Sequence, residues 1–203
     1  VYNPAAVGVP PRPLEPIPAI PGCDNLILSV GTLKLQKDHS TLIKAFALMP
    51  PERKAHLIIL GEGDQRGHLE KLIADLGLQG RVHLPGFVTY TRPYYEAADL
   101  FVLSSRLEGF GNVIVEALEC GVPVVSTDCP HGPHEILEGG TYGRLVALGD
   151  AKALAQAIDE SLLTQHDKQV LKRRAEDFSV SRISSQYLGL MFPGHETTKR
   201  NES

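Results

Sequence analysis

A repeating beat of short apolar runs, separated by segments with helical spacing, constrains this chain more than anything else in it. Leu26 to Val30 is the first run, closed by Gly31, and His56 to Leu60 is the second, closed by Gly61. Val82 to Leu84, broken by Pro85 and Gly86, then Leu100 to Leu103, Val122 to Thr127 and Gly143 to Val146 continue the series. Runs this short and this uniformly apolar read as strands buried on both faces. Between them, Asp38 to Met49 sets Leu42, Ile43, Phe46 and Ala47 at helical spacing, and Arg66 to Leu76 stops at Gly77. Pro93 to Ala98, Asn112 to Cys120 and the turn His134 to Leu137 are shorter helical pieces. Asp150 caps a helix running to about Leu163, with Ala153, Leu154, Ala157 and Ile158 on one face, and the end reads as helical to roughly Met191. This alternation predicts an α/β architecture: a Rossmann-like parallel sheet with helices on both faces. Ligands of such sheets bind beyond the carboxyl ends of the strands, where helices begin.

Bulk properties narrow the class. The 203 residues suit one sizeable domain with an appendage. Twenty basic against 24 acidic residues leave a net charge of −4, which argues against a general nucleic-acid binder but not against a local anion pocket. Three cysteines, Cys23, Cys120 and Cys129, form no Cys-x-x-Cys pair and suggest neither a disulfide framework nor a zinc site. A reducing, cytoplasmic setting follows, with at most a peripheral place at the inner face of a membrane, since no apolar run approaches a span. Residues 1–21 are dense in proline and read as a semi-rigid interdomain linker. Residues 22–165 read as the ligand-binding domain, 166–192 as C-terminal helices and 193–203 as a disordered polar tail.

Five loop constellations are candidates for chemistry. Ser104 to Gly111, SSRLEGFG, leaves the fourth strand and opens a helix; its glycines let backbone N–H groups approach a phosphate at the helix start, although a plain glycine turn reads the same way. Glu116 lies inside that helix among Val113, Ile114, Val115, Ala117 and Leu118. A glutamate in such surroundings needs partners, and its carboxylate can accept both hydroxyls of a ribose; a surface or salt-bridged glutamate is the plainer alternative. In GTLKLQKD, Lys34 or Lys37 can reach a diphosphate, though lone lysines are usually surface residues. ILGEGDQRG approaches a dinucleotide fingerprint, but its third glycine is one place late and no acidic residue ends the next strand. CPHGPHE brings His131, His134 and Glu135 together, which would hold a metal only if another ligand arrived.

In this order the blocks SVGTLKLQKDHSTLIKAF, IILGEGDQRGHLEKL, VHLPGFV, ADLFVLSSRLEGFGNVIVEALECGVPVVSTDCPHGPHEIL and GRLVALGDAKALAQAI resemble the C-terminal half of a GT-B fold glycosyltransferase of family 4, the large retaining group. The most specific element is the pair Glu108 and Glu116, with seven residues between them. The resemblance implies a donor-binding domain that takes a nucleoside-diphosphate sugar, UDP- or GDP-linked, with no obligatory metal. Glu116 would hold the ribose hydroxyls and Glu108 would face the donor sugar. Gly109, Phe110, Gly111 and Asn112 would offer backbone N–H groups to the sugar or distal phosphate. Lys37 would pair with the diphosphate, Gly31 would sit beneath it, and Gly86, Phe87 and Val88 would flank the base. Many relatives carry an arginine where this chain has Thr32, so Lys34 or Arg106 would have to supply the missing charge. The acceptor, a glycan or a lipid-linked glycan, would bind an N-terminal domain that this chain lacks, leaving the piece inactive alone. A non-catalytic nucleotide-sugar module, a sugar-nucleotide epimerase and a phosphorylase are the rival readings on the same fold.

Overall fold

The computed structural model describes residue 17 and residues 20–191; most of the linker and all of the tail expected from sequence lie outside the described residues. Six parallel strands form one sheet: β1 (Asn25–Val30), β2 (Ala55–Leu60), β3 (Val82–Gly86), β4 (Leu100–Leu103), β5 (Val124–Thr127) and β6 (Arg144–Val146). Their spatial order is β3-β2-β1-β4-β5-β6. The helices are α1 (His39–Ala47), α2 (Arg66–Asp75), α3 (Arg92–Ala97), α4 (Asn112–Glu119), α5 (Pro133–Ile136), α6 (Ala151–Leu163), α7 (Lys168–Glu176) and α8 (Val180–Met191). Short 3-10 turns occupy Leu35–Lys37, Pro51–Arg53 and Glu138–Gly140, which helical periodicity did not foretell. No helix among the described residues is long and apolar enough to cross a membrane.

Successive strand residues point to opposite faces, so the continuous apolar runs fill two cores at once. Ile27, Leu57, Ile59, Val102 and Val125 pack with Leu42 and Phe46 of α1, Leu69 of α2, and Leu154 and Ile158 of α6. Leu28, Ile58, Leu60, Phe101 and Leu103 pack on the other face with Ile114, Val115 and Leu118 of α4 and with Leu171 of α7. Local signals held where they were expected. Asp150 accepts from the N–H groups of Lys152 and Ala153 at 3.0 and 2.9 Å, and Gly77 ends α2 with a positive φ of 66°. Most element boundaries lie within a residue or two of those expected, and β3, expected to break at Pro85, runs through it to Gly86. Strand β3 is the sheet edge, where a residue without an N–H leaves no ladder bond unmade.

Candidate functional site

The strand order reverses direction between β1 and β4. The loop leaving β1 turns to α1 on one face and the loop leaving β4 turns to α4 on the other, opening a crevice above their carboxyl ends. Backbone and side-chain bonds lace the two loops together. Gln36 Nε2 donates to the Leu107 carbonyl at 2.7 Å, the Arg106 N–H donates to the Gln36 carbonyl at 2.8 Å, and Ser104 Oγ donates to the Lys37 carbonyl at 2.9 Å.

Across this seam Lys37 Nζ meets Glu108 Oε1 at 2.6 Å, and the two side chains are only 18% and 8% exposed. Ser105 Oγ donates to the same carboxylate oxygen, and the Thr127 hydroxyl fixes the Ser105 carbonyl at 2.6 Å. A half-desolvated ion pair with a further donor is held far more firmly than a surface pair. The Lys37 stem lies over Gly31, where an added Cβ would touch it at 3.4–3.5 Å.

On the other side of Gly31 is a cavity of about 360 Å³, within the range of small-ligand sites. Gly31 and Thr32 form one wall, Val113 and Glu116 of α4 another, and Phe87, Val88 and Thr91 the rim. Phe87 is 75% exposed. Gly86 just beneath has φ 98°, and an added Cβ would come within 2.9 Å of Glu62 Oε1. Arg66 pins that carboxylate through Nη2–Oε1 and Nε–Oε2 contacts of 2.6 and 2.8 Å.

Glu116 is half-buried and faces this cavity. Burial pushes its carboxyl above the usual carboxylate range; the Tyr95 hydroxyl pulls it back, and Glu119 adds to the rise. Tyr95 is itself buried, and its hydroxyl donates to the Val113 carbonyl at 3.3 Å. Gly111 starts α4 from the left-handed region at φ 95°, and the space beside Gly109 is open. The N–H groups of Gly109 and Gly111 make no hydrogen bond among the described residues. Phe110 turns its ring into the core, edge-on to Phe178 with centroids 5.5 Å apart, and its carbonyl packs against Gly132.

The structure therefore gathers Gly31, Thr32, Phe87, Val88 and Glu116 around one cavity, and sets Lys37, paired with Glu108, against Gly31. Arg106 stands apart: its side chain is 63% exposed and its Nε donates to buried Asp38 at 2.9 Å. The first two glycines of ILGEGDQRG serve packing, because a Cβ at Gly61 would collide with the Gly31 carbonyl and one at Gly63 with the Leu33 carbonyl, while Gly67 borders open space. His131, His134 and Glu135 do not converge on a metal site among the described residues; His134 Nδ1 contacts Asp128 Oδ1 at 3.1 Å. Sequence reasoning missed Gln36, Asp38, Ser105 and Tyr95. Each acts through a long-range or side-chain bond that leaves no periodic trace, although Ser105 sits within the loop already singled out.

Comparison with known proteins adds the following. A family model described as Glycosyl transferases group 1 matches residues 13–178. The chain is 39% identical over 171 residues to the lipopolysaccharide core biosynthesis glycosyltransferase LpsE of Rhizobium meliloti, covering 82% of this chain and 49% of that one. It is 34% identical over 169 residues to the N-acetylgalactosamine-N,N'-diacetylbacillosaminyl-diphospho-undecaprenol 4-alpha-N-acetylgalactosaminyltransferase of Campylobacter jejuni, covering 81% and 46%. The chain thus spans about half the length of these curated relatives. The lipopolysaccharide outer core galactosyltransferase WaaB, in its apo form, shares the fold with a TM-score of 0.79 at 22% identity, covering 95% of this chain and 54% of that one. Anabaena HepE, solved in complex with UDP, matches with a TM-score of 0.75 at 29% identity, covering 83% and 49%.

Proposed function

This chain belongs to the glycosyl transferases group 1 family, and from that premise we propose that it is the donor-binding half of a retaining glycosyltransferase of family 4. In this reading a sugar passes from a nucleoside diphosphate to an acceptor hydroxyl with its anomeric configuration kept. One observation carries the proposal: a continuous path from the cavity beside Glu116, over Gly31 and Thr32, to the Lys37–Glu108 pair.

A nucleoside occupies the cavity with its base at Phe87 and Val88, and Glu116 accepts hydrogen bonds from the two ribose hydroxyls. The diphosphate follows across Gly31 and Thr32, whose N–H is unpaired among the described residues, and meets Lys37. As the bond from sugar to phosphate breaks, its electron pair goes to the phosphate oxygen, the acceptor oxygen bonds the anomeric carbon on the same face, and the acceptor's hydroxyl proton passes to the departing phosphate oxygen. Lys37 and the first N–H groups of α4, at Gly109 to Asn112, stabilise the charge that develops there. Glu108, buried and paired with Lys37, faces the oxocarbenium-like sugar from below. Arg106 joins the clamp only on release from Asp38, which makes Lys37 the principal cation of a site with Thr32 where an arginine is common. No step in this scheme requires a metal.

The UDP bound by Anabaena HepE favours a UDP-sugar over a GDP-sugar as donor. The lipid-linked substrate in the name of the Campylobacter relative supports a glycan or lipid-linked acceptor. That acceptor is assigned to a second domain outside these 203 residues, a view supported by the half-length match. Donor binding without turnover is then expected of this piece, with at most peripheral membrane contact.

Calorimetry with UDP, GDP, ADP and their sugars tests the proposal. Saturable binding of UDP is expected, and Glu116→Ala should weaken it by roughly tenfold or more without lowering the melting temperature. If no nucleotide binds, or if Glu116→Ala binds as wild type does, the assignment of this crevice fails.

A further inference from the structure

His39 opens α1 two residues after Lys37, and nothing in the proposed chemistry uses it. It is 4% exposed, and neither ring nitrogen has a hydrogen-bond partner. Burial pushes its pKa down to about 4, so the ring is neutral and carries one N–H donor and one acceptor. Leaving such groups buried and unsatisfied is destabilising, a cost leucine would avoid at the same place. An orphan of this kind calls for a specific explanation.

The groups its ring faces are the backbone carbonyls of Gly31 and Thr32, which favour a proton on the ring yet lie outside hydrogen-bond geometry. The turn they belong to is anchored at both ends. The Gly31 N–H donates to the Leu60 carbonyl at 2.9 Å, and the Leu33 N–H donates to the Glu62 carbonyl at 2.9 Å. In its middle the Thr32 carbonyl accepts from the Lys34 N–H at 2.8 Å, while the Thr32 N–H makes no hydrogen bond among the described residues, and Thr32 lines the cavity. The Gly31 carbonyl and the Thr32 N–H are opposite edges of one planar peptide group. Whatever holds the carbonyl edge therefore sets where the N–H edge points.

We propose that His39 is a positioning residue for the donor diphosphate, its ring N–H closing on the Gly31 carbonyl as the Thr32 N–H of the same peptide plane takes a phosphate oxygen. The inference rests on the donor-site reading. His39 touches no substrate; it acts through the peptide.

Affinities for UDP and uridine, measured together with melting temperatures on the 203-residue chain, separate positioning from packing. His39→Leu is expected to bind UDP roughly threefold to tenfold more weakly, the worth of one hydrogen bond, with uridine affinity unchanged and a melting temperature equal to or above wild type. Either His39→Asn or His39→Gln, which place an amide N–H near one of the two ring nitrogens, should restore most of the UDP affinity. Should His39→Leu fail to fold, His39→Phe carries the same test. Failure of both to fold assigns the ring to packing and overturns the proposal. So does wild-type UDP affinity in His39→Leu, or an equal loss for uridine. A wild-type chain that binds neither UDP nor uridine overturns the donor-site reading and this inference with it.

Discussion

The loop after β2, from Gly61 to Gln65, and the loop after β4, from Ser104 to Gly111, both set glycines ahead of a helix, and they use them in opposite ways. In the first, the glycines make room for protein. The carbonyls of Gly31 and Leu33 occupy the space a Cβ would need at Gly61 and Gly63. Its backbone is committed as well: the Gly61 N–H donates to the Gly86 carbonyl at 2.9 Å and the Gln65 N–H to the Leu33 carbonyl at 2.9 Å. In the second, Gly109 borders open space, and the N–H groups of Gly109 and Gly111 are left over. Glycine spacing alone cannot distinguish the two. What distinguishes them is whether another stretch of backbone has already taken the space, as it has at Gly61 and Gly63 and has not at Gly109.

The sharpest way to break this comparison is Gly61→Ala. The new methyl group meets the Gly31 carbonyl at a φ of 147°, which L-residues rarely adopt. Steric and backbone strain together should cost about 3 kcal/mol or more in urea unfolding, displacing the turn under the donor site as well. An alanine tolerated at this position would mean that the β1 loop is not seated as described.

Gly109→Ala should have a smaller and different effect. With open space and no positive φ to relieve, stability should change by less than about 0.5 kcal/mol. Binding of a UDP-sugar should nevertheless weaken, because the methyl group stands where the ligand must approach. Equal losses of stability and binding would erase the distinction between the loops.

The same contrast marks how far the sequence could be read. Strand and helix alternation was legible because apolar runs and capping residues such as Asp150 act locally. Glu108, Lys37 and Glu116 were legible as members of motifs, since each lies in a loop or helix whose chemistry is written nearby. The meeting of Lys37 with Glu108 was not, because 71 residues separate them and only the pairing of β1 with β4 brings their loops together. Tyr95 beneath Glu116 depends on the packing of α3 against α4, whereas Ser105 beside Glu108 is a local side-chain bond within one loop, which no periodic pattern reports. Pro85 misled at β3 because strand position, edge or centre, decides whether a proline is tolerated, and position is a property of the whole sheet.

The smallest effect, Glu116→Gln, bears on the ligand side of the comparison. Burial raises the Glu116 carboxyl above its ordinary range, so the folded chain holds that proton more tightly than the unfolded chain does. The stability this contributes is fully present below the ordinary carboxylate value and is lost as pH rises through the raised one. At neutral pH the ionised carboxylate is therefore a burden on the free fold, and the uncharged glutamine should melt higher, by about 1–3 °C. The gap should close near pH 4, where the glutamate is itself protonated. Binding should move the other way: glutamine offers one carbonyl oxygen where the carboxylate offers two, so UDP affinity should fall. The wild type should likewise lose UDP affinity on acidification through the raised Glu116 value. Melting curves at both pH values with UDP titrations at neutral pH check the pair of effects. A Glu116→Gln chain that melts lower at neutral pH would make this carboxylate part of the scaffold, and α4 would then resemble the β2 loop after all.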